Sequence, residues 1–405
     1  MAPDRAGPGY AGGVRALTRD VSCSSESHRP LRSDHRMAGG TTMSEETTSN
    51  EQPQADEGVD LSGIEAEAAD ERIMFFETGP WDEAGLSAPE CGLGSPEYRS
   101  TTERLQNTPD EQIEDLTIAS VFIGSEVDGE QLDRMPDLKL VCTRSTGYDH
   151  IDLDACRERD IVACNVPAYA EHTVAEHTFG LMLALSRKIL KAYDRTKRSD
   201  FSLEGLSGFD LKGKTLGVVG AGAIGLRVIR IGVAMGMMVL AFDVRPQNLL
   251  ADVMQFEYAS LDDVLSKSDV VSLHVPLLPA TRHMIDRDAL AKMKEGALLI
   301  NTARGELVDT DALLDALSSG HLGGAGLDVI EGEERIGDEA QMAGSDLSRE
   351  DLAVAVQRYA LLNRDDVVLT PHMAFYSREA LHRLMEVTCG NIREFLRGEP
   401  RNTVS

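Results

Sequence analysis

The chain alternates short apolar runs with segments whose apolar residues repeat at helical spacing, such as residues 224–235 and 311–318. The apolar runs predict buried strands. A first group lies at residues 73–77, 119–123 and 138–143, and a second at 215–219, 238–243, 269–275, 297–301, 326–329 and 367–370. Strands spaced by helices indicate parallel sheets with crossover helices, and therefore an α/β protein.

Two long amphipathic segments, at residues 173–197 and 377–397, stand apart from this alternation. They flank the second group of strands, as helices would that cross between two lobes. We therefore expect two lobes that are joined by these two helices.

The first 70 residues differ from the rest in composition. Residues 1–42 hold six arginines against four acidic residues, without the apolar segment of a secretory signal. Residues 43–70 hold nine acidic residues and no basic or aromatic one, so they cannot bury enough apolar surface to offset the entropy of ordering. We expect residues 1–71 to be a disordered extension, with residues 1–42 upstream of a true start at Met43 or Met37.

The chain is strongly acidic. Its 405 residues include 40 Lys and Arg against 68 Asp and Glu, which gives a formal net charge of −28. This charge argues against nucleic acid or an anionic membrane as a partner, because both need a cationic surface, and no apolar run approaches the length of a membrane span. Only nine of the 40 basic residues are lysine. A lysine-poor acidic surface suggests a high-salt habitat; the simpler alternative is an ordinary solvated surface.

Six cysteines are scattered along the chain without any C-x-x-C spacing. Long enzymes with dispersed thiols usually keep them reduced. We therefore expect an intracellular, cytoplasmic protein without disulfides.

The most informative stretch is the glycine-rich sequence at residues 216–225. Gly220 permits a tight turn out of a strand, Gly222 lets the backbone approach a pyrophosphate, and Gly225 lets the next helix pack closely. The N-terminus of that helix would face the phosphate charge. Because the motif follows an apolar strand and opens a helix, it predicts a dinucleotide site; the alternative is a glycine turn that serves only packing.

Asp243 indicates which dinucleotide the site takes. It ends an apolar run 18 residues after Gly225, near the position from which an acidic residue binds the adenosine ribose hydroxyls. A carboxylate there would repel the 2′-phosphate of NADP, so NAD is favoured. Arg245 lies two residues further on and would partly offset that repulsion.

Three polar residues follow predicted strands of the second group: Arg304, Glu333 and His372. The carboxyl ends of strands in an open α/β sheet line the ligand crevice. Hydride transfer to the ketone of an oxo acid needs a cation that holds the carboxylate and polarises the carbonyl, which suits arginine. It also needs a proton donor that titrates near neutrality, which suits histidine, and a glutamate would orient that ring and favour its charged form. Taken singly, each residue is more often part of a salt bridge.

Several motifs occur together in one order along the chain. They are RSTGYDHID at residues 144–152, NVPAY at 165–169 with TVAEH at 173–177, the glycines at 220–225, NTARG at 301–305, GAGLDV at 324–329 with EGE at 331–333, and TPHMAFY at 370–376. With these motifs the chain resembles the NAD-dependent D-2-hydroxyacid dehydrogenases, and among them the D-lactate dehydrogenase-like members. The resemblance extends over roughly residues 72–404.

The resemblance implies a role for each matching residue. Arg304 would bind the substrate carboxylate and carbonyl, and His372, supported by Glu333, would be the general acid of reduction and the base of oxidation. The backbone of Thr146 and Gly147 would bind the carboxylate from the other lobe. The remaining residues would hold NAD: Ala223 and Ile224 at the pyrophosphate with Gly220, Gly222 and Gly225, Asp243 at the ribose, Val275 and Pro276 at the adenosine side, and Thr302, Ala303 and Asp328 at the nicotinamide.

The resemblance also implies the domain organisation. It implies two Rossmann-like domains, a flavodoxin-like substrate lobe and a doubly wound NAD-binding lobe, joined by two crossover helices. The substrate-binding and catalytic domain would comprise residues 72–170 and 372–405, and the NAD-binding domain residues 171–371. A homodimer through residues 171–197 is expected from the family.

The activity that the resemblance implies is reversible, NADH-dependent reduction of a small 2-oxo acid such as pyruvate to the D-2-hydroxy acid. Two alternatives stay open. One is D-3-phosphoglycerate dehydrogenase, although many such enzymes carry a C-terminal regulatory domain and this chain ends 33 residues after His372. The other is an NAD(H)-sensing, corepressor-like binding protein of the same fold, which would retain the same three residues.

Four other features allow more than one interpretation. His172 and Glu176 lie one helical turn apart, but their spacing fits no zinc motif, so no metal is expected. His274 ends a buried strand and is expected in the core. Phe375 is either a pocket wall or core packing. Residues 334–351, which include six acidic residues, are expected to form a mobile surface insertion near the cleft, and if they moved Glu333 its role would fail.

Overall fold

The computed structural model describes residues 71–88, 91–93, 98–333 and 348–405. The predicted start site and all but the last residue of the disordered extension predicted at residues 1–71 lie outside these ranges; Glu71 is described and pairs with Lys139 at 2.8 Å. Most of the acidic insertion also lies outside these ranges. Its last residues, 348–351, form the cap and first turn of a helix. Within the described ranges two parallel sheets alternate with helices. The predicted α/β fold with two Rossmann-like domains is confirmed.

The first sheet has five parallel strands. They are β1 (Ile73–Phe75), β2 (Tyr98–Ser100), β3 (Ile118–Val121), β4 (Leu140–Thr143) and β5 (Val162–Cys164), and they lie in the order β2-β1-β3-β4-β5. Helices α1 (Pro80–Leu86), α2 (Gly129–Asp133) and α3 (Leu153–Glu158) accompany them. Every residue of β1, β3 and β4 is buried, as expected of parallel strands that are covered on both faces.

The segment that leaves the first sheet differs from the prediction. Two helices, α4 (Glu171–Ser186) and α5 (Ile189–Lys197), replace the single helix expected at residues 173–197. A continuous helix would use the Ser186 carbonyl internally, but this oxygen accepts from the Phe209 N–H at 2.9 Å. Lys188 then takes a left-handed φ of 53°, so the chain turns before α5 begins.

The second sheet has seven parallel strands. They are β6 (Thr215–Val219), β7 (Met238–Phe242), β8 (Glu257–Tyr258), β9 (Val270–Leu273), β10 (Ala297–Asn301), β11 (Leu322–Leu327) and β12 (Val367–Leu369), in the order β12-β11-β10-β9-β6-β7-β8. Its helices are α6 (Ala223–Ala234), α7 (Asn248–Met254), α8 (Leu261–Lys267), α9 (Arg287–Lys292), α10 (Thr310–Ser318) and α11 (Arg349–Leu362). The chain leaves β6 towards β8 on one side and returns to β9 on the other. This reversal creates a crevice at the carboxyl ends of β6 and β9.

The strands that the sequence did not predict are short and lie at the edge of a sheet. They are β2, β5 and β8. The three strands have two or three residues each, so no period of alternating burial could appear. Among the described helices that the sequence analysis did not name, α11 is the longest. α11 carries exposed apolar side chains at Leu352, Val356 and Tyr359, and its composition gives no clear buried face.

The last helix, α12 (Arg378–Leu396), returns to the first sheet. Its Met385, Cys389 and Ile392 share one core with Ile73 and Phe75. Cys389 is joined by a disulfide to Cys91, 298 residues earlier, so the prediction of a protein without disulfides is wrong. Only the fold brings these two cysteines together, so no local spacing in the sequence could have predicted the disulfide. None of the helices in the described ranges combines the length and apolar composition of a membrane span.

Candidate active site

The predicted site residues gather where strands of both sheets end. Arg304 follows β10, Glu333 follows β11 and His372 follows β12, whereas Gly147 lies in the loop after β4. An adjoining cavity of about 410 Å³ is lined by Arg304, Glu333 and His372 together. The main cleft, of about 1170 Å³, is lined by ten of the predicted residues: Thr146, Gly147, Ile224, Val275, Pro276, Thr302, Ala303, Arg304, Asp328 and His372.

The glycine turn (residues 220–225) lies at the start of α6. Gly220 has a φ of 98°, and a Cβ there would lie 2.6 Å from the carbonyl oxygen of His274. A Cβ on Gly225 would overlap the Gly220 carbonyl oxygen, whereas one on Gly222 would meet no atom within 4 Å. The turn is therefore closely packed at Gly220 and Gly225 and open at Gly222, next to the start of α6 at Ala223. An open helix N-terminus of this kind fits the phosphates of a dinucleotide.

Asp243 follows β7 and supports the glycine turn from the side. Its carboxylate oxygens accept from the backbone N–H groups of Ala221 and Arg245, both at 2.8 Å. The side chain is half-buried, whereas Arg245 is exposed. Asp243 therefore lies beside the turn, as its spacing predicts, and its contact with a ribose stays a prediction.

His372 and Glu333 form a close pair. The Nδ1 atom of His372 lies 2.6 Å from Oε1 of Glu333, and Oε2 of Glu333 accepts from the Ile330 N–H at 3.2 Å. His372 has a φ of 49°, and its backbone N–H donates to the carbonyl oxygen of Asp328 at 2.8 Å. Within the described residues Nε2 makes no hydrogen bond. The ring is thus fixed through one nitrogen, and the other can meet a ligand.

Arg304 contacts the opposite lobe. Its Nη2 lies 3.1 Å and its Nε 3.3 Å from Oδ1 of Asp149, and its Nη1 donates to the carbonyl oxygen of Ala303 at 2.8 Å. Burial opposes the charge of Arg304, but Asp149 and Glu333 more than offset this and raise the pKa of the guanidinium. A Cβ on Gly147 would overlap Nη2 of Arg304. Gly147 therefore has to be glycine for Arg304 to lie where it does.

Asp328 is buried where it lines the cleft. It is 1% exposed, and its carboxylate accepts from the N–H groups of Met373 and Ala374 at 2.9 and 2.8 Å and from the Thr370 hydroxyl at 2.5 Å. Burial would raise the pKa of Asp328, but the hydrogen bonds, led by that of His177, lower it. Asp328 thus anchors the segment that carries His372, in addition to lining the cleft.

Sequence reasoning missed Asp149 and Tyr169, and it placed His177 only on the interdomain or dimer-forming helix. Tyr169 is buried and lines the cleft, and burial raises the pKa of its phenol. His177 lies 3.0 Å from the hydroxyl of Thr370. Each of the three lies inside a motif that carried the family resemblance, so the signal was present in the sequence. Phe375, with ring centroids 6.3 Å from Tyr169 and 6.5 Å from His372, both packs and lines the cleft.

The remaining histidines of the sequence analysis are outside the reaction geometry. His172 and Glu176 are exposed on α4, and the described residues hold no cluster of three or more His, Cys, Asp or Glu side chains suited to a metal. His274 is expected in the core, but it follows the end of β9, is half-buried and lines the cleft, with Nε2 2.8 Å from the Ser272 hydroxyl. Burial lowers its pKa to about 3, so the ring is neutral at physiological pH.

Comparison with known proteins agrees with this geometry. A family model described as "D-isomer specific 2-hydroxyacid dehydrogenase, NAD binding domain" matches residues 179–374. A 2-hydroxyacid dehydrogenase homolog of Haemophilus influenzae is 38% identical over 292 residues, which are 71% of this chain and 85% of the relative. The glycerate dehydrogenase of Methylorubrum extorquens is 39% identical over 316 residues, which are 76% of this chain and 91% of the relative.

A solved structure extends the similarity over both lobes. The D-lactate dehydrogenase of Aquifex aeolicus, in complex with NAD and lactic acid, aligns with a TM-score of 0.73 at 37% identity. The alignment covers 81% of this chain and 96% of that protein. The similarity therefore includes the second sheet with its glycine turn and also the first sheet.

Proposed function

The chain belongs to the D-isomer specific 2-hydroxyacid dehydrogenase family, and from that premise we propose that it reduces a small 2-oxo acid such as pyruvate to the D-2-hydroxy acid, reversibly and with NADH. The family makes it an NAD-dependent oxidoreductase. The observation that carries the proposal is the meeting of Arg304, the Glu333–His372 pair and Gly147 around one cleft. Reduction of a 2-oxo acid requires a cation and a backbone donor that bind its carboxylate, and an oriented proton donor for its carbonyl oxygen.

Arg304 would bind and polarise the substrate. Two of its nitrogens already engage a carboxylate, that of Asp149, so the guanidinium faces a position where anions are stabilised. A substrate carboxylate would take such contacts, and its carbonyl oxygen would lie between Arg304 and His372. Positive charge near that oxygen stabilises the negative charge that develops during reduction.

His372 would move the proton. Its Nδ1 faces Glu333, which favours the protonated ring and fixes its orientation, so Nε2–H would donate to the carbonyl oxygen in reduction. In oxidation neutral Nε2 would accept the hydroxyl proton. Residues 220–225, Asp243 and the cleft residues from Val275 to Asp328 would hold NAD, which when bound supplies or accepts the hydride.

A second candidate is oxidation of D-3-phosphoglycerate. The cavity of about 410 Å³ is also lined by Arg104 and Arg358, and cations there would suit a second anionic group on the substrate. The same cavity has apolar walls at Ile123, Ile330 and Leu362, which suit a small apolar side chain. A panel that includes both substrate types decides between them.

We also propose a homodimer formed through residues 171–197. Apolar side chains are exposed along α5 and just beyond it, among them Leu190 at 47%, Tyr193 at 57% and Phe201 at 75%. Burial in a partner would remove this apolar surface from water. Sedimentation of the wild type against Tyr193→Ser tests the assembly. The cytoplasmic location and the adaptation to high salt stay predictions.

The test is NADH oxidation, followed by absorbance, with a panel of 2-oxo acids at low and at molar salt. The panel contains pyruvate, longer apolar 2-oxo acids and 3-phosphohydroxypyruvate. We expect turnover with pyruvate or a near relative, and its loss by at least about 100-fold in His372→Ala. His382→Ala, which removes an exposed histidine of α12, is the matched control. Tight NADH binding without turnover of any acid would instead identify a dinucleotide-sensing protein.

A further inference from the structure

We propose that three asparagines, Asn402, Asn391 and Asn165, act as positioning residues for substrate binding by fixing the peptide between Thr146 and Gly147. The proposal rests on the proposed function, in which that peptide binds the substrate carboxylate. It assigns a role in the reaction to the segment at residues 402–404, which lies far along the sequence from the Thr146–Gly147 peptide.

The three asparagines form a continuous chain of hydrogen bonds, here called the amide chain. Nδ2 of Asn402 donates to Oδ1 of Asn391 at 2.7 Å, and Nδ2 of Asn391 donates to the backbone carbonyl oxygen of Asn165 at 2.9 Å. Nδ2 of Asn165 in turn donates to the carbonyl oxygen of Thr146 at 2.8 Å. The amide chain thus runs from residue 402 through α12 to the loop after β4.

The inner members of the amide chain are buried. Asn165 is 7% and Asn391 is 2% exposed, and buried amides are costly unless their hydrogen bonds are made. The backbone of Asn165 is also held from a second direction, because its N–H donates to the carbonyl oxygen of Asn402 at 3.1 Å. The donor that reaches Thr146 is therefore fixed on both its main chain and its side chain.

The segment at residues 402–404 is placed by strand pairing. Thr403 forms an antiparallel bridge with Cys164 in β5, and the Val404 N–H donates to the Ala163 carbonyl oxygen at 2.9 Å. This register sets Asn402 beside Asn165. A single antiparallel bridge at the edge of the first sheet therefore positions the outermost amide of the chain.

The hydrogen bond to Thr146 determines where the Gly147 N–H points. In a trans peptide the carbonyl and the following N–H point in opposite directions. Because Asn165 holds the Thr146 carbonyl, the Gly147 N–H is directed away from Asn165, and Gly147 itself lies against the Arg304 guanidinium. Within the described residues the Gly147 N–H donates to no acceptor. It is thus a fixed donor beside the cation that would bind the carboxylate.

The next peptide is fixed as well. The Ser145 hydroxyl donates to the Gly147 carbonyl oxygen at 2.6 Å and lies 2.7 Å from the Thr143 hydroxyl. The carbonyl groups of Thr146 and Gly147 are thus each held by a side chain. If the bond from Asn165 is lost, the Thr146–Gly147 peptide should rotate while Ser145 still holds the rest of the loop.

The first test measures steady-state kinetics of Asn165→Ala with pyruvate, or with the best acid of the panel. We expect KM to rise about 10- to 100-fold, the effect of one lost hydrogen bond to an anion, with kcat within about threefold and the NADH Kd unchanged. The Kd of oxamate, an unreactive pyruvate isostere, for the enzyme–NADH complex should rise in parallel. Equal loss of kcat and NADH affinity, or an unchanged KM, would overturn the proposal.

Two further variants separate positioning from folding. Asn402→Gly removes the outermost donor on an exposed residue, and glycine accepts the left-handed φ of 53° found there, so we expect a KM rise of about 2- to 10-fold with no change in Tm. Asn363→Ala is the control, because its amide also donates to a backbone carbonyl, that of Tyr359 at 2.7 Å, and we expect no kinetic effect. A wild type that neither turns over the acids nor binds oxamate would overturn the proposed function itself.

Discussion

Two glycine-containing segments, one in each lobe, are predicted to bind an anion with their backbone, and they are built differently. The glycine turn at residues 220–225 follows β6 and opens α6 at once; Gly225 packs against the Gly220 carbonyl within the motif, and Gly220 packs against the His274 carbonyl after β9. The loop at residues 145–150, here called the substrate loop, follows β4 but opens no helix, and its carbonyls are held by Asn165 and Ser145. The glycine turn is therefore packed against backbone, its own and that of His274, whereas the carbonyls of the substrate loop are held by side chains.

The difference teaches where sensitivity to substitution should lie. In the glycine turn the aligned N–H groups of a helix supply the positive end of a dipole, so the glycines themselves are the vulnerable positions. In the substrate loop the single N–H of Gly147 has to be oriented by other residues, so substitution of distant side chains such as Asn165 should also weaken substrate binding. Each segment also has its own carboxylate: Asp243 bonds the turn at Ala221, whereas Asp149 bonds the cation Arg304.

The largest effect is expected from Gly147→Ala in the substrate loop. The new methyl group would overlap Nη2 of Arg304 and displace the guanidinium. Loss of two charge-assisted hydrogen bonds, about 3–5 kcal/mol, should lower kcat/KM by about 10²- to 10⁴-fold. Steady-state kinetics measure this, and fluorescence titration should find the NADH Kd unchanged.

Gly390→Ala on α12 is the control for that substitution, since a Cβ there meets only Arg393 Nη2 at 3.9 Å. Kinetics of the control should match the wild type. If Gly147→Ala weakened NADH and substrate binding equally, the two segments would not be separate binding elements and the comparison would break.

The second prediction concerns Gly220→Val in the glycine turn. Valine would have to adopt a φ of 98° and would crowd the His274 carbonyl at 2.6 Å, at a cost of about 1–3 kcal/mol or more. We expect the NADH Kd to rise about 10- to 100-fold. Gly213→Val introduces the same residue at a φ of 78° with no atom within 4 Å, so it reports backbone strain alone and should leave the NADH Kd unchanged.

The same contrast explains what the sequence could predict. Six of the seven strands of the second sheet and the glycine turn were found because each is contiguous, and Arg304, Glu333 and His372 because each follows a predicted strand. The Asp149–Arg304 contact joins residues 155 apart, the Asn391–Asn165 bond residues 226 apart, and the disulfide residues 298 apart. No spacing rule covers such separations. The break between α4 and α5 was missed for the same reason, since Phe209 takes the Ser186 carbonyl.

A smaller effect is expected from Asp149→Asn. Burial would raise the pKa of Asp149, but Arg304 outweighs it and lowers the pKa, so the carboxylate stays ionised at neutral pH and competes with the substrate for Arg304. Its removal should lower the KM of the 2-oxo acid about three- to fivefold. Because its pKa is lowered, Asp149 loses its charge only at acid pH. The ratio of wild-type to variant KM should therefore be constant from about pH 6 to 9. A higher KM in the variant would mean that Asp149 aligns Arg304 instead.

The smallest kinetic effect is expected from Cys389→Ser, which sharpens the comparison because Cys389 lies two residues from Asn391 on α12. The disulfide to Cys91 and the amide chain both tie this helix to the first lobe, but only the amide chain reaches the substrate loop. Loss of the disulfide should lower the free energy of unfolding by about 2–4 kcal/mol under oxidising conditions, measured by urea denaturation, and leave KM and kcat unchanged. Addition of a reductant to the wild type should reproduce that loss of stability and have no effect on the variant.

A KM that rose with Cys389→Ser as much as with Asn165→Ala would contradict this prediction. It would show that the rigidity of α12 as a whole, rather than the orientation of the Thr146–Gly147 peptide, supports substrate binding.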